Sequence, residues 1–300
     1  MKIYYGFNKV KKFNKAVVAL GVFDGVHLGH RKILKALVRK AKEIKGSSVV
    51  ITFWPHPAGK SSLYSLEHRL RLIAEIGVEN CIVVNFNARF SEITAEDFIS
   101  GILMGRVGAR YVYIGENFRF GRKASGDGRL LKAFSKLYGF GVKVFKVIKA
   151  KLKPVSSTLI RGLISSGEIA YAEKLLGRRV SVLGTVIKGS ALGRILGFPT
   201  ANIDPHHEVV PASGIYAVEV VLAAKILPGV CYIGTRPTIR EKSKKINIEV
   251  HILDFRKDIY GRFLEVRFVR KIRPDQKFPS LKALAEQIAK DIALARRILH

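Results

Sequence analysis

Cysteine is scarce in this sequence. Among 300 residues there are two cysteines, Cys81 and Cys231, which lie far apart and form no CxxC pair. Their scarcity argues against a disulfide framework or a cysteine zinc site, and it indicates a reducing compartment. Hydrophobic residues make up 48% of the chain and charged residues 25%, which is typical of a globular protein long enough to form two domains.

Long apolar runs are also missing. No stretch approaches the roughly 18 residues that a membrane helix needs. The lysines and short apolar run within residues 1–20 lead directly into a glycine-rich segment, with no small-residue cleavage site, so we interpret the run as a strand rather than a signal peptide. We expect a cytoplasmic protein with no membrane partner. Internal repeats and low-complexity tracts are absent from the sequence.

Acidic residues are few relative to basic ones. The chain has 53 lysines and arginines against 23 aspartates and glutamates, a formal charge of +30. This charge is compatible with binding nucleic acid, with attracting anionic small substrates, or with a surface adapted to high temperature. Because the basic residues are spread along the chain, we do not expect a nucleic-acid partner. A basic nucleic-acid-binding protein built on a nucleotide-binding fold remains the alternative from a different class.

Strand and helix patterns alternate through the first half of the chain. Apolar runs predict strands at 15–20, 47–53, 80–86, 111–114 and 142–147. Helical spacing follows His30 and recurs at 66–76, 94–104 and 128–138. Thr94, with Asp97 three residues later, predicts a helix start. This alternation predicts an α/β fold, a doubly wound parallel sheet with helices on both faces.

The pattern changes near Pro154. A helical stretch at 157–176 is followed by short β-rich runs between glycine and proline turns, at 180–187, 214–223, 246–255 and 263–268. Such runs predict a small β-barrel, which an amphipathic helix at 280–298 would follow. We therefore predict three segments, 1–153, a helical connection at 154–177, and a barrel domain at 178–300.

The segment GVFDGVHLGH at residues 21–30 joins the first predicted strand to the first helix. Backbone N–H groups and the positive end of the helix dipole favour an anion at such a junction. Glycines at 21, 25 and 29 permit close approach to a phosphate, and His27 and His30 are suited to donate hydrogen bonds to a triphosphate. Paired histidines are also common in structural and metal-binding roles. The Walker A pattern GxxxxGK[ST] is absent.

The same segment matches the HxGH signature of the nucleotidyltransferase superfamily. With Phe23 and Asp24 before the histidines, it resembles the adenylyltransferase module of prokaryotic FAD synthetases. Three further segments resemble motifs of that family in the same order: ITFWPHP at 51–57, YIGENFRFGRKASGD at 113–127 and VSSTLIR at 155–161.

This resemblance implies a site for ATP and FMN. The glycines of the segment, Gly21, Gly25 and Gly29, would face the phosphates, and His27, His30 and Arg161 would steady the departing diphosphate. The other residues that it places at the site are Phe23, Asp24, Asn117, Asp127, Ser156 and Ser157. Hydroxyls and a guanidinium suit phosphate binding, although a serine here is also a normal helix N-cap and Arg161 a normal solvated charge.

In the second half, LGRILGFPTANI at 192–203 resembles the flavokinase signature. The resemblance implies that Gly193 and Gly197 contact the nucleotide and that Thr200 and Asn202 supply oxygen ligands to ATP-bound Mg²⁺, a metal that prefers such donors. Without the resemblance, FPTAN is compatible with a simple turn fixed by its proline.

A carboxylate lies on the strand predicted at 246–255. Apolar residues alternate onto one face, and Glu249 shares the other face with Asn247 and His251. A strand carboxylate taken alone is most often a solvated edge group. The resemblance instead gives Glu249 the role of the general base that removes the proton from the 5′-hydroxyl of riboflavin.

Segments at 214–220, 233–238 and 258–268 follow the order of the same kinase module. The sequence thus resembles the prokaryotic bifunctional riboflavin kinase/FMN adenylyltransferase family. The resemblance implies that the C-terminal module converts riboflavin and ATP to FMN and ADP. It implies that the N-terminal module converts FMN and ATP to FAD and diphosphate, in a monomer or weak homo-oligomer.

Two features depart from the family pattern. Tyr232 precedes IGTRPT where the family usually has asparagine, and the loop after PHP is short. These departures affect expected flavin contacts rather than the reaction class. A chain that retains only one of the two activities is the second alternative.

Overall fold

The computed structural model describes residues 1–57, 59, 62–150, 153–189, 192–223, 225–236 and 245–299. The chain divides into two compact units. The first, which we call the sheet unit, contains Met1–Ser62 and Leu66–Ser157. The second, the barrel unit, contains Leu63–Ser65 and Thr158–His300. Part of the predicted motif at 233–238 lies outside the described residues, at positions 237 and 238.

The sheet unit is built on six parallel strands in the spatial order β1-β4-β3-β2-β5-β6. The strands are β1 Lys2–Tyr5, β2 Ala16–Leu20, β3 Ser48–Trp54, β4 Asn80–Asn85, β5 Ala109–Gly115 and β6 Gly141–Phe145. The helices are α1 Leu28–Glu43, α2 Leu66–Glu75, α3 Ala88–Ser91, α4 Ala95–Asp97 and α5 Gly128–Tyr138. The predicted parallel sheet is confirmed.

Burial explains the order of these strands. All five residues of β2 are buried, as a strand covered on both faces requires. The edge strand β1 is mostly exposed and pairs with β4 alone, Ile3 opposite Cys81. With four residues, three of them exposed, β1 is too short to show an alternating pattern, and the sequence analysis does not predict it. β3 is buried at six of its seven positions.

The helix predicted at 94–104 is present, but its geometry differs. Thr94 accepts a hydrogen bond from the Asp97 backbone N–H (3.0 Å) and donates one to its carboxylate (2.8 Å), which confirms the predicted start. After one turn of α4 the chain continues as a π-helix over Phe98–Val107. Four residues of this segment are buried in the core. Side-chain spacing does not distinguish the wider winding from an α-helix over so short a length.

The barrel unit contains a closed six-stranded barrel in the order β10-β13-β12-β11-β14-β9, all neighbours antiparallel. The strands are β9 Val180–Ile187, β10 Ala201–Asp204, β11 Gly214–Leu222, β12 Lys225–Arg236, β13 Lys245–Ile252 and β14 Phe263–Arg273. Helices α7 Ile169–Leu176, α8 Leu192–Ile195 and α9 Leu281–Leu299 also belong to this unit, as does α6 Ser157–Ser165 except for its first residue. The two-residue pair β7 Lys149–Ala150 and β8 Lys153–Pro154 lies at the end of the sheet unit. The predicted barrel and terminal helix are confirmed.

The outer face of the barrel is covered by α9. Ala295 is fully buried against Ile215, Ala217 and Val230, and Tyr232 packs at the edge of this cluster. Alternate residues such as Cys231 and Ile233 are buried inside the barrel. β12 was not predicted because Pro228 interrupts its pattern. Within the described residues, no helix is both long and apolar enough to cross a membrane.

Candidate active sites

The turn between β2 and α1 has an unusual backbone. Phe23 (φ 52°), Gly25 (φ 77°) and Val26 (φ 39°) all lie in the left-handed region. A positive φ is rare for a β-branched residue such as Val26 and tends to occur at functional sites. The turn carries the chain through a short 3₁₀ segment into α1, where His27 occupies the N-cap position without making a side-chain capping hydrogen bond.

The two histidines of the turn lie against each other. Their rings stack with centroids 3.7 Å apart and an interplanar angle of 19°. The Phe23 ring meets His30 edge-on at 5.3 Å, and His27 is buried. His30 is therefore packed between the rings of Phe23 and His27, which fixes its imidazole where α1 begins.

Three side chains hold the turn from outside. The Arg69 guanidinium, buried on α2, donates to the carbonyl oxygens of Val22 (2.9 Å) and Phe53 (3.1 Å). Thr52 also donates to the Val22 carbonyl (2.8 Å), and Ser157 donates to the Asp24 carbonyl (2.8 Å). Burial lowers the pKa of Arg69 from its ordinary value, and the negative charge of Asp24 opposes that shift.

A cavity of about 310 Å³ opens beside this turn. Eight of the residues predicted for the first site line it. They are Gly21, Phe23, His27, Gly29, His30, Asn117, Ser156 and Ser157. Apolar residues, among them Ile33 of α1 and Phe145 of β6, form much of the remaining wall. The cavity therefore combines hydrogen-bonding groups at a helix start with an apolar surface, as a nucleotide requires.

Four predicted residues occupy other positions. Asp24 and Gly25 are buried within the turn and do not line the cavity. Asp127 caps α5, where its carboxylate accepts from the backbone N–H groups of Arg129 (2.8 Å) and Leu130 (3.0 Å). These bonds lower the pKa of Asp127 below its ordinary value. Arg161 lies on α6, one turn after Ser157.

Glu116 and Lys146 line the first cavity and were not predicted. The Glu116 carboxylate accepts a hydrogen bond from the Val147 backbone N–H at 2.6 Å, joining the segments that follow β5 and β6. Glu116 directly precedes Asn117 in the predicted loop motif, which was the available signal. Lys146 carries no pattern that separates it from other surface lysines.

The barrel unit has two neighbouring cavities, of about 470 Å³ and about 370 Å³. Thr200 lines both of them. We call the first the donor cavity, which is also lined by Gly197, Arg194, Arg256 and Lys257. The second, the acceptor cavity, is lined by Gly193, Glu249, aromatic residues and four residues of α9. The two spaces thus differ in charge and share Thr200 as a lining residue.

Glu249 is fixed by its neighbours. Its carboxylate accepts hydrogen bonds from the Asn247 side chain (2.7 Å) and the Thr200 hydroxyl (3.4 Å). It lies opposite Asn202 on β10 and opposite Tyr232 on β12. Residues directly opposite in an antiparallel pair project from the same face. Glu249 is therefore held in the acceptor cavity, close to the hydroxyl that borders the donor cavity.

The segment carrying Thr200 is held against β13. His251 Nδ1 hydrogen-bonds with the Pro199 carbonyl (2.8 Å), and its ring meets Phe198 edge-on. Gly193 lies so close to the Phe198 carbonyl that a Cβ at this position would force a shift. Asn202 is buried beside Gly189 and is not among the residues lining either cavity.

Several residues of the acceptor cavity were not predicted. Arg273 at the end of β14 donates to the Asp291 carboxylate on α9 (2.8 to 3.0 Å), and its guanidinium lies 5.5 Å from the centre of the Phe278 ring. All three side chains line the cavity. No local sequence pattern connects Arg273 with Asp291, because only the packing of α9 on the barrel brings them together.

Among the described residues, no group of three or more His, Cys, Asp or Glu side chains has the arrangement of a metal site. A cation at the barrel cavities would therefore have to be held by few protein oxygens, with the substrate and water supplying the rest. Thr200 offers a hard oxygen donor of this kind and lines both the donor and the acceptor cavity.

Two family models match the chain. The model described as FAD synthetase matches residues 9–159, and the model described as riboflavin kinase matches residues 176–299. The first range covers most of the sheet unit and the second most of the barrel unit.

Individual relatives match over nearly the whole chain. The bifunctional riboflavin kinase/FMN adenylyltransferase of Escherichia coli (strain K12) is 38% identical over 306 residues, covering 99% of this chain and 97% of the relative. The protein of that name from Haemophilus influenzae is 38% identical over 291 residues, covering 94% of each. A solved structure described as a macrolide-efflux protein from Streptococcus pneumoniae has 28% identity and a TM-score of 0.85, covering 99% of each chain.

Proposed function

The chain belongs to the family of bifunctional riboflavin kinases/FMN adenylyltransferases, and on that premise we propose that its barrel unit makes FMN from riboflavin and its sheet unit makes FAD from FMN. The observation that carries this proposal is the correspondence between each matched range and a cavity with suitable chemistry. The riboflavin kinase range contains a carboxylate beside an apolar cavity. The FAD synthetase range contains paired histidines where a helix begins.

In the kinase reaction, ATP occupies the donor cavity and riboflavin the acceptor cavity. The cationic side chains of Arg194, Arg256 and Lys257 suit the phosphates, and the aromatic and apolar walls of the acceptor cavity suit the flavin ring. Glu249 takes the proton of the riboflavin 5′-hydroxyl as that oxygen attacks the γ-phosphorus. Asn247 and Thr200 hold its carboxylate in place before substrate arrives.

The two ATP-dependent reactions imply a divalent cation, and we propose Mg²⁺. When bound with ATP it would neutralise phosphate charge. The Thr200 hydroxyl, with Asn202 supporting the same segment, would supply hard oxygen contacts of the kind Mg²⁺ accepts. The role of Thr200 beyond this is to hydrogen-bond with Glu249, which fixes the base relative to the transferred phosphoryl group.

In the adenylyltransferase reaction, the FMN phosphate attacks the α-phosphorus of ATP and diphosphate leaves. His27 and His30 donate hydrogen bonds to the phosphates, and Ser156, Ser157 and Arg161 are proposed to steady the diphosphate. Gly21 and Gly29, which line the cavity, let the backbone approach the phosphates. Phe23, Asp24 and Gly25 shape the turn, and Asn117 orients the substrate. Asp127 is also proposed to contact the ligand, in addition to capping α5 with its carboxylate. No covalent intermediate on the protein is required.

We further propose a cytoplasmic enzyme, because both reactions consume ATP, and a monomer or weak homo-oligomer. We do not propose a nucleic-acid or membrane partner. Light scattering over a range of protein concentrations measures the oligomeric state. Binding of random duplex DNA at physiological salt, together with an absence of flavin turnover, would favour the nucleic-acid alternative instead.

The test is a chromatographic time course of the purified protein with ATP and Mg²⁺, started from riboflavin in one reaction and from FMN in another. We expect FMN followed by FAD in the first reaction and FAD in the second. A chelator should stop both reactions, and Mg²⁺, Mn²⁺ and Ca²⁺ added back separately identify the preferred metal. Product from only one start would assign a single working unit, and product from neither would overturn the proposal.

A further inference from the structure

We propose that Tyr232 is a substrate-positioning residue of the kinase site, which holds the segment 274–280 over the acceptor cavity and forms the wall beside Glu249. This inference rests on the proposed assignment of that cavity to riboflavin. Tyr232 is also where the sequence departs from the family pattern. Its position, its packing and its hydrogen bond support the proposal independently.

The position of Tyr232 follows from strand register. Tyr232 on β12 pairs directly with Glu249 on β13. Side chains so paired project from one face with their Cβ atoms roughly 4.5–5.5 Å apart. Both residues line the acceptor cavity. A substrate hydroxyl placed against the Glu249 carboxylate would therefore lie next to the Tyr232 ring.

The packing of Tyr232 shows that its side chain has a defined place. The ring lies over Gly234, the next residue on the same face of β12, where a Cβ would collide with the phenolic oxygen and the adjoining ring carbon. On its other side the residue packs at the edge of the cluster formed by Val230 and Ala295. The strand thus makes room for this ring, and the ring is half-buried rather than pointing freely into solvent.

The hydroxyl of Tyr232 reaches across the cavity rim. It donates a hydrogen bond to Asp275 Oδ2 at 3.2 Å. Asp275 belongs to the segment between β14 and α9, and it lines the acceptor cavity together with Gln276 and Phe278. The Arg273–Asp291 ion pair fixes the start of this segment to α9. Tyr232 ties its continuation to the barrel wall, so the segment is held from both sides of the cavity.

A single hydrogen bond to an exposed carboxylate has a modest effect. Removing it should loosen the segment without changing the chemistry at Glu249, so riboflavin binding should weaken while the phosphoryl transfer step is preserved. An effect of this size corresponds to roughly 3-fold to 10-fold in affinity. Loss of the ring as well should add to it, because aromatic contacts contribute separately.

The experiment measures the KM for riboflavin and kcat as total FMN plus FAD formed at saturating ATP. Tyr232→Phe keeps the ring and removes the hydroxyl, and we expect its riboflavin KM to rise about 3-fold to 10-fold with kcat and the ATP KM within about 2-fold of wild type. Tyr232→Asn should raise the riboflavin KM further. Tyr5→Phe, on exposed strand β1 of the sheet unit, is the matched control and should change nothing.

A double-mutant cycle identifies the contact. If the hydroxyl acts through Asp275, Tyr232→Phe combined with Asp275→Ala should raise the riboflavin KM no more than the more impaired single variant does. Additive effects, or a riboflavin KM unchanged in Tyr232→Phe, would overturn the inference. Similar rises in the riboflavin KM and the ATP KM, together with a loss of thermal stability, would also overturn it, because they would indicate a merely structural role. A wild-type protein that makes no FMN from riboflavin would instead contradict the proposed function, so the two failures are distinguishable.

Discussion

The two units line their cavities with chemically different side chains, hydrogen-bond donors in the sheet unit and a carboxylate in the barrel unit. The sheet unit presents stacked imidazoles and serine hydroxyls on a turn and at the starts of two helices, α1 and α6. The barrel unit presents a carboxylate on a strand, hydrogen-bonded to an amide and a hydroxyl. This difference in side chains matches the difference between the nucleophiles of the two reactions. A riboflavin hydroxyl must lose a proton to attack, whereas the FMN phosphate is already ionised and needs only positioning and charge stabilisation.

The supporting structure differs in the same way. Glu249 lies on a strand of a closed barrel, so ladder hydrogen bonds fix its backbone. The histidine turn contains residues with positive φ and is held by tertiary hydrogen bonds from Arg69, Thr52 and Ser157. The position of Glu249, the proposed kinase base, therefore depends mainly on local sheet structure, and that of the histidine turn on side chains distant in sequence.

Replacing the proposed base, Glu249, should have the largest effect. Glu249→Gln keeps the size of the side chain and removes the carboxylate, so FMN formation should fall by about 10²-fold to 10⁴-fold. FAD formation from supplied FMN should be unchanged, because the nucleophile of that reaction needs no base. The measurement is the chromatographic assay from both starting substrates. An equal loss of FAD formation in a folded variant would contradict the difference between the units.

Replacing a histidine should give the reciprocal result. His27→Ala removes a hydrogen-bond donor from the first cavity, and FAD formation should fall by roughly 10²-fold to 10³-fold while FMN formation continues. His30→Ala should behave similarly, because the two rings stack. Since loss of a buried ring also affects packing, thermal unfolding is measured alongside. Retention of full FAD formation would remove the histidines from the proposed mechanism.

Breaking the support of the turn should have a smaller effect. Arg69→Ala leaves the carbonyl oxygens of Val22 and Phe53 without the guanidinium that they accept from, which should destabilise the sheet unit by about 1–3 kcal/mol. FAD formation should fall while FMN formation is preserved. The control is Arg71→Ala on the same helix, where the exposed pair with Glu67 should contribute less than about 1 kcal/mol. Calorimetry measures the unfolding of the two variants, and a separate transition for the sheet unit gives its stability directly. Equal destabilisation by Arg69→Ala and Arg71→Ala would show that Arg69 does not stabilise the turn.

The smallest predicted effect is on alkaline stability. Burial raises the pKa of Cys81 from 9.0 to about 12. Because the folded-state pKa is the higher one, this group contributes stability that is full below pH 9 and is lost between pH 9 and about 12. Cys81→Ala should therefore reduce the loss of stability of the sheet unit above about pH 9. Burial also raises the pKa of Cys231, so Cys231→Ala should act on the barrel unit alone.

The measurement for both cysteine variants is the unfolding temperature at a series of alkaline pH values. A Cys81→Ala protein that loses stability with pH as steeply as wild type would show that other groups dominate. The barrel should remain sensitive in either case, since burial also raises the pKa of Tyr216 to about 12.

Sequence periodicity predicted most elements of both units, because central strands and amphipathic helices carry strong local patterns. It missed β1, whose residues are largely exposed, the four-residue strand β10, and β12, which contains Pro228. The π-helix at Phe98–Val107 was expected as an ordinary helix, since buried apolar residues in such a short segment fit either winding.

The site residues were predictable where they belong to segments that resemble a family motif. The turn at 21–30 and the segment at 192–203 carry motifs, and the structure places most of their predicted residues at cavities. Contacts between segments that are distant in sequence could not be predicted from the sequence. Arg69 holding Val22, and Tyr232 reaching Asp275, depend on the packing of whole elements, and no local pattern records them.

The position of α9 in the chain has a consequence for synthesis. The acceptor cavity takes part of its lining from α9, which follows all of the barrel strands in sequence. The cavity of the sheet unit is lined entirely by residues up to Ser157. Domains generally fold as they emerge from the ribosome, N-terminal first. The proposed FAD-forming site can therefore assemble on a nascent chain, whereas the proposed FMN-forming site is complete only after the final helix has been synthesised.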